Sequence, residues 1–140
     1  MKQFIYTLVG SLACIGAFPN SYSGQSPASL PPSIKIEITQ MPSDPPGEAL
    51  AKTPVTGSVS GAPAGSVVVI YAQGGARYYV QPYANNHVVR ISKGRFSSRA
   101  HGGDSFIVCV VAPDYVADET REDVPAVGGK VLAVKVGTPK

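Results

Sequence analysis

From Ser33 to Thr39 the chain alternates strictly, with Ile34, Ile36 and Ile38 set against Lys35, Glu37 and Thr39. Successive side chains of a strand point to opposite faces, so this spacing predicts a strand with one face buried and one wet. Four prolines between Pro42 and Pro54 then predict a long loop or an edge crossing. Beyond them come short β-branched runs at 55–60 (VTGSVS), 66–72 (SVVVIYA), 77–80 (RYYV), 88–92 (VVRIS), 95–98 (RFSS), 105–112 (SFIVCVVA) and 131–136 (VLAVKV). Turn signals punctuate them: GAPAG at 61–65, GG at 74–75, NN at 85–86, KG at 93–94, and GG at 102–103 and 128–129. No helical period interrupts this series, and no internal repeat is visible. The pattern predicts an all-β, antiparallel β-sandwich of about seven or eight short strands. The two most apolar runs, 66–72 and 105–112, are expected at its centre.

The first residues follow a different rule. Lys2 precedes an apolar run from Phe4 to Phe18, which gives way to Pro19, Asn20 and small polar residues. This is the order of a secretory signal peptide, and cleavage after Ser23 places small residues at both critical positions. The apolar run is shorter than the roughly twenty residues that a stable membrane span needs. Residues 1–23 are therefore expected to be a signal peptide, with no stable transmembrane span after cleavage. A secreted or periplasmic location follows. Lipid attachment at Cys14 is the alternative; Ala13 fits a lipoprotein signal, whereas Ser11 and Leu12 do not. Residues 24–32 (GQSPASLPP) read as a flexible linker, and 33–140 as the sandwich domain.

Removal of residues 1–23 leaves 117, enough for one domain with its own core. The remaining chain keeps only Cys109, which excludes an intramolecular disulfide. Its eleven cations against nine carboxylates are too nearly balanced to indicate nucleic acid as a partner.

A further set of residues carries a resemblance: GSVSG at 57–61, VVVIYA at 67–72, YYVQPYANN at 78–86, KGRF at 93–96 and VAPDY at 111–115. The stretch 57–114 resembles immunoglobulin-like β-sandwich modules of exported bacterial proteins, which sometimes occur beside glycoside hydrolase domains. That resemblance implies an immunoglobulin-like architecture and a binding role. Tyr78 and Phe96 stand where the pattern usually has Trp, and the chain contains no Trp.

The candidate ligand-binding residues are Tyr78, Tyr79, Gln81, Tyr83, Asn85 and Asn86, with Arg77 and Arg90 as nearby cations. One of the adjacent Tyr78 and Tyr79 must face inward and the other outward. An exposed tyrosine offers an apolar face to a sugar ring, and the amides offer hydrogen bonds. The plainer alternative has Tyr83 covering an end of the sandwich and Asn85–Asn86 simply making a turn.

Charge is unevenly distributed. Residues 50–103 hold six cations and no acid, whereas 104–125 hold six acids and one cation, Arg121. Either a basic strand face meets an anionic polymer, or solvated charges partly cancel those of a neighbouring loop. The acidic run 114–123 (DYVADETRED) lacks the spacing of an EF-hand loop. His87, His101, Asp104 and Cys109 show no ligand spacing, and no serine lies in a G-x-S-x-G context. No catalytic residue, metal or cofactor is expected. The sequence points to a monomeric, exported, non-catalytic module that binds a glycan. The alternative is a structural or assembly protein that binds another envelope protein through a sheet face or edge.

Overall fold

The computed structural model describes residues 33–47, 51 and 53–140. The expected signal peptide, Cys14 and the linker lie outside the described residues. Nine strands and no helix form the described part: β1 Lys35–Gln40, β2 Thr53–Ser60, β3 Val67–Gly74, β4 Arg77–Gln81, β5 Val89–Arg90, β6 Arg95–Ala100, β7 Phe106–Val111, β8 Thr120–Arg121 and β9 Val131–Gly137. They build two antiparallel sheets, one of three strands ordered β1-β2-β6 and one of six ordered β8-β4-β3-β7-β9, with β5 paired to β3. The result is an all-β sandwich within residues 33–140. Its strand count slightly exceeds the expected seven or eight, because the two-residue β8 sits inside the acidic run. Thr53 and Pro54 join β2 rather than the preceding loop. Pro54 is tolerated there because it lies at the strand's start, where a missing N–H does least harm.

The alternation of β1 holds: Ile36 is buried and Ile34 and Ile38 pack beside it, while Lys35 and Glu37 face water. The two most apolar runs are neighbours in the large sheet, as β3 and β7. Every residue of β7 is buried. A strand buried on both faces reads as a continuous apolar run rather than an alternating one.

Two cores account for this. Val68, Ile70, Ala72, Phe106, Val108 and Val110 face the small sheet and meet Ile36, Val55, Val59, Phe96 and Ala100. On the opposite face, Val69, Tyr71, Val80, Ile107, Cys109 and Val111 form a second core, against which Tyr78, Tyr115 and Ala117 pack. The segment between β7 and β9 covers that second core. It is tied down by Val80 N–H donating to the Glu119 carbonyl (3.0 Å) and Ala112 N–H donating to that of Lys130 (2.9 Å). Burial pushes the Cys109 thiol up to about 12, so it is a packed hydrophobe rather than a reactive group.

Gly57, in the middle of β2, is required by close approach. A Cβ there would collide with the backbone carbonyl of Glu37 and lie 2.6 Å from the Phe96 ring. The KG turn closes a two-residue hairpin between Ser92 and Arg95, with φ of 50° at Lys93 and 71° at Gly94. Both positive angles belong to the turn whose twist matches flanking strands.

Gly57→Ala is expected to destabilise the fold by about 3 kcal/mol, lowering the melting temperature by about 10 °C. Because the tightest clash is with backbone, adding Phe96→Leu will not restore it. Urea and thermal denaturation of the single and double variants check both points.

Candidate functional site

The small sheet does not extend over the whole of the large one. β1 lies against β9, and no residue of β4 belongs to the core between the sheets. By register, Gln81 and Tyr79 stand beside Ile70 and Ala72 on the inner side of β3. They therefore line an open cleft where the core would otherwise continue. The cleft has a volume of about 500 Å³. Its walls are Tyr79 and Pro82 on one side, Pro46 and Gly47 of the β1–β2 loop on another, and His101–Gly102 after β6.

Each wall is held by identifiable contacts. Thr53 donates its hydroxyl to Asp44 at 2.6 Å, fixing the β1–β2 loop. Gly102 packs so tightly on that loop that a Cβ would strike the Asp44 and Pro45 carbonyls. Gln73 N–H donates to the Ser105 carbonyl (2.8 Å) and Asp104 N–H donates back to that of Gln73 (2.9 Å), anchoring the Gly-Gly turn to the end of β3. Tyr79 is 44% exposed, and its ring is braced against Gly74, where a Cβ would lie 3.4 Å from the ring edge.

Gln81 organises the site without being presented to solvent; it is 3% exposed. Its Nε2 donates to the Tyr79 carbonyl at 3.1 Å. Its Oε1 accepts the His101 backbone N–H at 2.9 Å and lies 2.8 Å from His101 Nδ1. These neighbours fix the amide orientation, since the backbone N–H needs an acceptor and the Tyr79 carbonyl a donor. Nδ1 must then carry a hydrogen, which leaves Nε2 of the neutral ring as an acceptor. Tyr83 meets the His101 ring edge-on, with centroids 5.4 Å apart and planes at 85°.

The eight candidate residues thus separate. Tyr79 and Gln81 line the cleft, and Tyr83 supports His101. Asn85 and Asn86 are exposed in the turn that follows, closed by Asn86 N–H donating to the Tyr83 carbonyl at 3.0 Å. Tyr78 packs against the second core on the other side of the sheet. Arg77 is engaged by Glu122 at 3.3 Å, and Arg90 lines a separate groove. His101 is the site residue that the sequence left without a role. The only pointer to it was its place before a Gly-Gly turn.

The acidic run is occupied by cations. Asp123 takes Arg121 Nη2 at 3.1 Å, Asp118 lies 3.9 Å from the same guanidinium, and Lys130 meets Asp114 at 2.8 Å. Lys130 holds the Asp114 carboxyl below its usual range. Among the described residues, no group of three or more His, Cys, Asp or Glu side chains is placed to hold a metal ion. Nor is any helix there long and apolar enough to cross a membrane. No protein-family model matches the chain, and no curated protein or solved structure is found to match it.

Replacing Gln81 by Ala leaves two part-buried donors of His101 without their acceptor, at an expected loss of about 1 kcal/mol. Nitrogen-15 NMR of the imidazole will show the Nδ1–H tautomer in the wild type. In Gln81→Ala that preference disappears.

Proposed function

We propose that the chain is an exported, non-catalytic binding module that holds a neutral sugar unit of a glycan in the Tyr79–His101 cleft. The observation that carries this reading is the braced, half-exposed Tyr79 ring on the wall of a cleft whose described lining is uncharged. Among the described residues, the lining carries no carboxylate, ammonium or guanidinium group. A tyrosine face suits the C–H side of a pyranose ring, and His101 Nε2 suits a sugar hydroxyl. The volume falls within the roughly 300–1,000 Å³ usual for small-molecule sites. The resemblance of residues 57–114 to immunoglobulin-like modules supports the same class of role, as does the signal-like start of the chain.

Polysaccharide pull-down and a glycan array test this reading. Tyr79→Ala is expected to weaken binding about tenfold through loss of ring stacking and apolar contact. Tyr78→Ala, on the other side of the sheet, leaves it unchanged. Binding that ignores Tyr79→Ala would sink the assignment.

One feature favours a second reading, an assembly role. Among the described residues β9 pairs with β7 alone, and Val136 on it is 46% exposed. Such an edge can accept a strand from an envelope protein or a second copy. If so, light scattering will find dimers or a stable complex that Val136→Lys abolishes. A monomer at all concentrations, with no envelope partner captured, counts against it.

A further inference from the structure

The small sheet has an outer face that neither core uses. On β6, Phe96 and Ala100 enter the inner core, while Arg95, Ser97 and Arg99 are exposed. Register places Ser58 beside Arg95 and Thr56 beside Ser97. A groove of about 530 Å³ opens here, and its polar lining is Thr39, Thr56, Arg90, Ser92, Arg95 and Ser97. It shares no residue with the Tyr79–His101 cleft.

Among the described residues, the charge of this groove is uncompensated. Residues 77–103 contain five cations and no carboxylate. Arg77 is paired with Glu122. Among the described residues, no carboxylate lies within ion-pair distance of Arg90, Lys93, Arg95 or Arg99. Glu37, which shares the outer face, is engaged by Lys35 at 2.7 Å. The acidic run on the other sheet holds its own cations instead.

We propose that this groove binds the sulfate or phosphate ester groups of an anionic polysaccharide. Planar guanidinium forks match the oxygens of a tetrahedral oxyanion, and the Ser92 and Ser97 hydroxyls supply further polar contacts, while the Thr39 and Thr56 hydroxyls meet each other at 3.0 Å. The concave shape leaves room for the sugar that carries the ester. A membrane surface is the poorer fit, because none of the exposed large apolar residues lines the groove to anchor it in lipid. The inference stands independently of the neutral-sugar cleft.

The test uses dextran sulfate, uncharged dextran, and phosphatidylcholine vesicles with and without phosphatidylglycerol. The protein is the wild type, the double variant Arg90→Ala/Arg95→Ala and Arg77→Ala. Both groove arginines are exposed, so matching thermal melts will establish that the double variant is folded. Dextran sulfate is expected to bind, more weakly as salt rises, with the double variant losing about tenfold in affinity. Arg77→Ala stays within about twofold of the wild type, being remote from the groove. The proposal is overturned if dextran sulfate does not bind, or binds the double variant as well as the wild type. Binding confined to the phosphatidylglycerol vesicles overturns it too.

Discussion

Strands in a sheet lie about 4.8 Å apart, so three strands span little more than half the breadth of five strands abreast. That mismatch between the layers governs this molecule. With β1 set against β9, the small sheet covers β9, β7 and β3 and stops short of β4. Inner-side residues of β4 therefore lack an opposing layer. In place of a core, Tyr79 and Gln81 meet loops, and the gap between them is the cleft. The outer face of the large sheet has no second sheet either, and it needs another cover because β3 and β7 are apolar on both sides.

The segment between β7 and β9 supplies that cover, and it brings charge with it. Arg121 is only 16% exposed and sits 5.8 Å from the centre of the Tyr71 ring. A guanidinium so placed must keep its hydrogen bonds, because an unpaired buried charge is strongly destabilising. Asp123 meets the requirement twice, through its carbonyl at 2.7 Å and its carboxylate at 3.1 Å. Burial, and then the neighbouring Tyr115, push the Tyr71 phenol above its ordinary range, and among the described residues its hydroxyl makes no hydrogen bond of good geometry. The cation over the ring offsets part of that cost. This accounts for the acidic run physically: its carboxylates hold a cap over an apolar face. One consequence is that they are not available to the cations of β5 and β6, which face a different groove.

Much of the fold was legible because it depends on periodicity. Strict alternation marked β1, continuous apolar runs marked β3 and β7, and paired turn residues marked the hairpin at Lys93–Gly94. β8 was not legible, since two polar residues inside an acidic run carry no period. The site was only half legible. Adjacent tyrosines at 78 and 79 had to face opposite sides, but period two is symmetric and does not say which side is which. Gln81 looked like a ligand contact because amides often are; its burial makes it the brace of His101 instead. His101 itself gave almost no signal, for its role depends on Gln81, twenty residues away in sequence.

The sequence by itself determined that the chain forms β-strands, which two would lie at the centre, and where the tightest turns fall. Those properties follow from local sterics and from the alternation of side chains along an extended backbone. Tertiary structure alone decided the division into sheets of unequal breadth, the placing of the acidic segment over the second core, and the separation of an uncharged cleft from a basic groove. These depend on which strands become neighbours and on how far one layer reaches over another. Both are set by contacts between residues far apart in the chain, which no local pattern records.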